Sequence, residues 1–247
     1  MALQGTPEFR EGWTKISQKE LDGILTKHKL FADQKQGGER AKLSMFDLSY
    51  LDMSGRNLWQ ADLTGALLCH CSLEEANFKD AILFAADMRF ANMTEANFDR
   101  ADLRGTCMAG ANMTEASLID ADMRDGVLMK SLSKGGDLAP IVHDEATAGL
   151  ERAVARGANM QGAKVSDSMI VQTDLTDCNL KNAKFIRANL SLTNLTGCNL
   201  EGADFRDADL RDANLSGSLL IDCDFRGADM RGTKFNNTDK NGARGLP

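Results

Sequence analysis

From Leu43 onward an apolar residue returns at every fifth position, a pattern that no regular helix or long strand can bury on one face. The series runs Leu43, Leu48, Met53, Leu58, Leu63 and onward to Leu128, eighteen units without a gap. A period of five matches neither the 3.6 residues of a helical turn nor the alternation of a strand. The chain must turn once per unit. Two residues before each apolar position usually stands a small one, as at Ala61, Ala66, Cys71 and Ala76. Asp or Asn commonly lies between the two, and Gly often follows, as at Gly55, Gly65, Gly105 and Gly110.

A second run resumes in a shifted phase at Met160, Val165 and Ile170 and continues to Phe235, sixteen units more. A longer period lies over the short one: Phe185, Phe205 and Phe225 are 20 apart, as are Phe78 and Phe98, Asn57, Asn77 and Asn97, and Cys178 and Cys198. Four units therefore complete one coil, and like side chains stack on the coil below. The expected fold is an all-β solenoid, parallel and four-sided, with about 8.5 coils rising about 4.8 Å each into a rod of about 40 Å.

The runs Ala61-Asp62-Leu63-Thr64-Gly65 and Ala208-Asp209-Leu210-Arg211-Asp212 resemble the pentapeptide repeat family, whose consensus is a small residue, Asp or Asn, Leu or Phe, then two variable positions. The resemblance covers about 41–130 and 156–235. It implies a right-handed quadrilateral β-helix with the Leu/Phe and Ala positions facing inward and the other three facing solvent.

The spacing divides the chain into five parts: an N-terminal tail and cap helix (1–40), a first repeat run (41–130), a loop-helix insert (131–156), a second run (157–235) and a polar C-terminal tail (236–247). Ser17-Gln18-Lys19-Glu20 is a capping box, and Leu21, Ile24, Leu25 and His28 follow on one helical face, so a cap helix is expected over about 18–29. His28 reads as a packed cap residue. In the insert, 131–136 and Pro140 read as loop, whereas Val142, Ala146, Leu150 and Val154 recur every fourth residue before Gly157, the pattern of a short amphipathic helix. That helix is expected to pack outside the rod, over an unusually apolar outward row of Leu67, Asp87, Cys107 and Val127. No C-terminal cap is evident, so the last coil ends on an open β edge.

Chemistry finds no footing in the pattern. The three His (His28, His70, His143) lie in different segments, and no triad order, phosphate loop or metal-ligand helix motif occurs. Cys69-His70-Cys71 has no second pair at zinc-site spacing, so no metal and no cofactor are expected. Carboxylates before the core positions, such as Asp62, Asp102 and Asp209, read as outward solvating groups. The chain is expected not to be an enzyme. The six Cys, without paired spacings, read as reduced thiols.

The net charge of −7 argues against direct nucleic-acid binding and against an anionic membrane, because both need Lys/Arg opposite phosphate. No apolar stretch is long enough to span a bilayer and Met1–Trp13 lacks signal-peptide character, so a cytoplasmic location is expected. What remains is a rigid scaffold or protein-interaction module, with the insert as recognition surface and a still unidentified protein partner. Leu150, Val154 and Lys134 on the insert, and Met230 and Phe235 at the open end, are the candidate contact residues, the latter two implying a homodimer through the C-terminal coil. The alternative that the resemblance raises is a DNA-mimicking modulator of a type II topoisomerase such as gyrase, as in quinolone-resistance members of the family. Residues 41–128 carry 14 acidic against 7 basic side chains but 158–235 only 11 against 9, a balance that weighs against mimicry.

Overall fold

The computed structural model describes residues 12–127, 129–131, 138–140 and 149–246. Parallel bridges join residues 20 apart in unbroken series: Lys42 with Asp62 and then Ile82, Asp47 with Leu67 and Asp87, Asp52 with Ser72 and Asn92, Asn57 with Asn77 and Asn97. These four ladders define four faces, whose inward residues begin with Leu43, Leu48, Met53 and Leu58 respectively. Stacking follows the same step, with Phe78 and Phe98 ring centres 4.9 Å apart, Phe185 and Phe205 4.9 Å, and Phe205 and Phe225 5.0 Å. The result is a β-solenoid of about nine coils at about 4.8 Å per coil.

One unit shows why five residues suffice. Leu63 N–H donates to Ile82 O on the next coil (2.7 Å) and Gly65 N–H to Phe84 O (2.9 Å). Ala66 N–H closes the turn on Leu63 O (3.0 Å), and Leu67 N–H reaches back to Phe46 O (2.9 Å). The fifth donor, Thr64 N–H, is taken by Asp62 Oδ1 at 3.1 Å. Asn77, Asn97 and Asp174 accept in the same way from Lys79, Asp99 and Thr176. Where Asp or Asn stands before a core residue it thus does more than solvate the rod, because it satisfies the one backbone donor that neighbouring coils leave over. A left-handed residue two places after each core position makes the corner, including non-glycine residues such as Tyr50, His70 and Phe90.

The inward small position has its own polar rule. Cys71 Sγ donates to Leu48 O (3.0 Å), Thr173 Oγ1 to Leu150 O (2.6 Å) and Ser218 Oγ to Leu195 O (2.6 Å), so Cys, Ser and Thr replace Ala there without leaving an unpaired group. Burial pushes the thiols of Cys71, Cys178 and Cys223 up to about 12. Cys107 is buried as well, and Cys69 is only partly so. Native protein is therefore expected to alkylate rapidly at Cys69 alone, the other five thiols reacting on unfolding. Mass spectrometry after a short exposure to iodoacetamide checks this, and Cys107 reacting as fast as a free peptide thiol would refute it.

The N-terminal cap comprises a short strand β1 (Thr14–Lys15), helix α1 (Gln18–Ala32) and β2 (Phe46–Asp47), with β1 pairing parallel to β2. Ser17 and Glu20 form the expected reciprocal capping box. The helix runs past the expected 29 to Ala32. Phe31 stacks between His28 (5.6 Å) and Trp59 (6.1 Å), packing that holds the last turn on the rod. Leu21, Leu25 and His28 are buried on the first coil.

His28 Nδ1 accepts from Ala41 N–H at 3.0 Å. Burial, and then the Arg40 charge, hold its pKa below the ordinary value. A histidine whose pKa is lower folded than unfolded contributes stability above the unfolded value, about 6.5, and loses it as pH falls below that. The cap is accordingly expected to loosen as pH falls below about 6.5, read as an earlier urea midpoint by Trp fluorescence, and a His28→Gln variant should flatten the dependence.

The insert departs from expectation. Cys107 pairs with Gly149, 42 residues on instead of 20, an excess of 22 that accounts for the two-residue phase shift. Leu150 is not on a helix: it is fully buried in the solenoid core, and Val154 is an outward ladder residue bridging Asn112 and Asp174. The second run therefore starts at Gly149 rather than 157. Ala155, filling a position normally held by Leu or Phe, obscured the first units. Residues 142–148, the rest of the expected helix, and Lys134 lie outside the described residues. What is described is an antiparallel pair, β3 (Met129–Ser131) with β4 (Leu138–Pro140).

The C-terminal tail also differs, for Asp239 and Arg244 continue the ladders from Leu219 and Asp224, so the coil extends to Arg244. Its Asp and Asn supply the same corner chemistry, with Asn241 N–H donating to Asp239 Oδ1 at 3.0 Å. Inside this last coil Phe235 turns edge-on to Phe225 (6.3 Å, 89°), and Lys240 Nζ sits 4.7 Å over the Phe235 ring.

Candidate interaction face

Chain leaving the rod after Met123 folds back over the corner between the first and second faces. Gly126 O lies so close to Gly105 that a Cβ there would collide with it, and Gly105 is in the left-handed region that glycine tolerates best (φ 68°). Trp13 Nε1 donates to Gly65 O on the same corner (2.7 Å). The outward row Leu67, Asp87 and Cys107 beside it is buried, whereas Val127, expected in that row, is exposed.

Asp87, with no exposed surface, is gripped two-pronged by Arg89 at 2.8 and 2.7 Å, and this hydrogen-bonded partner raises the pKa of the guanidinium. The adjacent Cys69, His70 and Cys71 do not converge. Cys71 points into the core, His70 lies at the corner between the second and third faces, and among the described residues no side-chain group fit to hold a metal occurs.

That corner carries the feature that sequence reasoning passed over. Tyr50, His70 and Phe90 stack as an exposed aromatic ladder, 5.0 Å between successive ring centres and tilted by only 8° and 15°. Tyr50 is 65% and Phe90 55% exposed. The ladder ends on Gly110, whose missing side chain leaves room for the Phe90 ring, since a Cβ would stand 2.6 Å from it. The signal lay in the numbering, an aromatic residue or His at 50, 70 and 90, in a corner column that elsewhere holds Gln172, Leu192 and Asp212.

Elsewhere the outward charges mostly neutralise one another. Asp102–Arg104, Asp122–Arg124, Asp204–Arg206 and Asp224–Arg226 are two-residue pairs at 2.6–2.7 Å. The hydrogen bond from Arg226 holds Asp224 down at about 2. Of the expected contact residues, Met230 and Phe235 stand together at the C-terminal end, partly buried, and Leu150 is inaccessible. No described helix is long and apolar enough to cross a membrane.

Fold and faces define a parallel β-solenoid built from five-residue repeats. The pentapeptide repeats family matches residues 61–100, 96–131, 173–212 and 208–239 in 8 copies, more than half of the chain, and the chain belongs to that family. Among solved structures it is similar to HetL, a pentapeptide repeat protein involved in heterocyst differentiation regulation from the cyanobacterium Nostoc sp. strain PCC 7120 (24% identity, covering 87% of this chain and 93% of HetL, TM-score 0.45). It is also similar to QnrB1, a plasmid-mediated fluoroquinolone resistance protein (21% identity, 76% of this chain and 81% of QnrB1, TM-score 0.39), and to Rfr23 from the cyanobacterium Cyanothece 51142 (27% identity, 55% and 84%, TM-score 0.29). No curated protein matches the chain.

Proposed function

We propose that this protein is a non-catalytic interaction module: a rigid right-handed rod that presents the ladder corner of its first run, together with the insert, to a protein partner. The observation that carries this reading is the exposed, stacked Tyr50–His70–Phe90 ladder, whereas the other large exposed apolar side chains, Val127, Val154, Leu192 and Leu219, form no such stack of rings. Aromatic side chains immobilised by stacking lose little freedom on binding and are the commonest anchors of protein interfaces. Capture of binding proteins from extracts of the native cell, with wild type and with the Tyr50→Ser/Phe90→Ser variant compared, tests it. A partner retained by wild type and lost by the variant is the expected result; identical captures overturn it.

Many outward carboxylates pair with Arg of the same chain, and residues 158–235 are nearly balanced in charge, which weighs against duplex mimicry. Weak or no inhibition of gyrase supercoiling by the purified protein is expected. Stoichiometric sub-micromolar inhibition that is lost at raised salt restores the mimic reading.

We propose in addition that Met230 and Phe235, partly buried on the C-terminal coil, meet a symmetric copy in a homodimer. Light scattering showing a monomer near 26.8 kDa at tens of micromolar protein refutes the dimer.

A further inference from the structure

We infer that the third face of the first run, between the aromatic ladder and a column of glutamates, seats an extended partner segment that alternates apolar and Lys/Arg side chains. The inference rests on the interaction-module reading and names the chemistry of its partner. On this face the outward positions are Asp52, Ser72, Asn92 and Asn112 in one row and Ser54, Glu74, Thr94 and Thr114 in the other, with no Lys or Arg among them. Its far corner is Glu75, Glu95 and Glu115, all exposed, stacked one coil apart. Corner carboxylates elsewhere do not stack on one another: Asp80 and Asp167 are followed by Arg100 and Arg187 (2.7 Å each), and Asp177 and Asp222 by Gly197 and Gly242. Here three like charges follow in succession at about 4.8 Å, which is unfavourable until a cation is brought to them.

The two edges of the face are therefore complementary to different side chains, apolar at the ladder and cationic at the glutamates. An extended chain laid along the rod supplies both, because its side chains alternate between the two sides with a period of two. Backbone pairing with the face is closed off, since the N–H groups of each unit are already engaged within the solenoid. Recognition falls to side chains. The ladder spans two steps of 5.0 Å, about the length of three extended residues, so a short segment is long enough to engage it throughout.

The test uses the full chain and a fluorescein-labelled heptapeptide of alternating lysine and valine, followed by anisotropy. The controls are a peptide of the same composition with the lysines in one block, and one of alternating glutamate and valine. Expected are saturable, salt-sensitive binding of the alternating lysine peptide, weaker binding of the block peptide and none of the glutamate peptide. Dissociation constants should rise at least tenfold in Y50S/F90S and in E75Q/E95Q/E115Q, and change less than twofold in D207N/D212N/D222N, which removes equal charge from other corners. Equal weakening by this last variant, or no preference for the alternating peptide, overturns the inference. If the peptide fails to bind while Y50S/F90S still loses its cellular partner, the module reading stands and the cationic segment falls. Circular dichroism of each variant, expected unchanged, separates lost binding from lost fold.

Discussion

Replacing Phe205 by alanine is expected to lower the stability of the second run by about 3–5 kcal/mol, the range for deleting a fully buried aromatic ring. Phe205 has no exposed surface and is held between Phe185 at 4.9 Å and Phe225 at 5.0 Å, so neither neighbour can collapse into the space without leaving its own coil. In a solenoid each coil touches only its neighbours, and weakening one coil uncouples what lies on either side. Thermal unfolding followed by circular dichroism should show an earlier, broadened transition, and amide exchange should accelerate first around 185–225. Phe90→Ala, in an equally regular but exposed stack, should cost under about 1 kcal/mol. Equal losses at the two sites would mean that the interior stack contributes no more than the surface one.

Excising residues 127–148 is expected to leave the rod folded, whereas removing 131–156 is expected to break it. The first deletion takes out the 22-residue excess, placing Leu150 five residues after Met123, so every ladder closes in register. The second removes Leu150 and Ala155 from the core and leaves Met123 and Met160 eleven residues apart, which is not a multiple of five. Two lost core residues cost about 2–5 kcal/mol each where large, and the register error displaces the coils that follow. The informative readouts are a single cooperative melt with unchanged far-ultraviolet dichroism for the first variant, and a lowered, two-step melt for the second. If the insert is what covers the buried outward row, Cys107 becomes reactive to alkylation in the shortened rod. An unfolded 127–148 deletion would show that the insert is needed for folding rather than inserted into a finished repeat.

These expectations separate what local pattern carries from what it does not. The five-residue period and the interval of 20 were legible because every unit buries the same two positions, and repetition makes a weak local signal unmistakable. The cap helix was legible for a different reason, since a capping box and a helical apolar face act within a few residues. The interval of four through Val142, Ala146, Leu150 and Val154 misled because helical spacing and the repeat share residues there. Burial of Leu150 by the neighbouring coils, together with the Cys107–Gly149 bridge, decided between them. The tail after Phe235 read as polar coil because Lys240 and Gly245 occupy core positions of the last two units, yet the ladder from the preceding coil carries the chain through them.

By itself the sequence determined the repeat, the number of sides and the inward residues, all consequences of a periodicity that can bury its apolar positions in one way. Only the tertiary structure decided which outward residues meet. Tyr50, His70 and Phe90 are twenty residues apart along the chain and 5.0 Å apart in space, and Asp87 is buried with Arg89 because other parts of the chain cover their row. A surface site is made of contacts between coils. Its outward positions are free to vary without disturbing the core, so the period that fixes the fold says nothing about them.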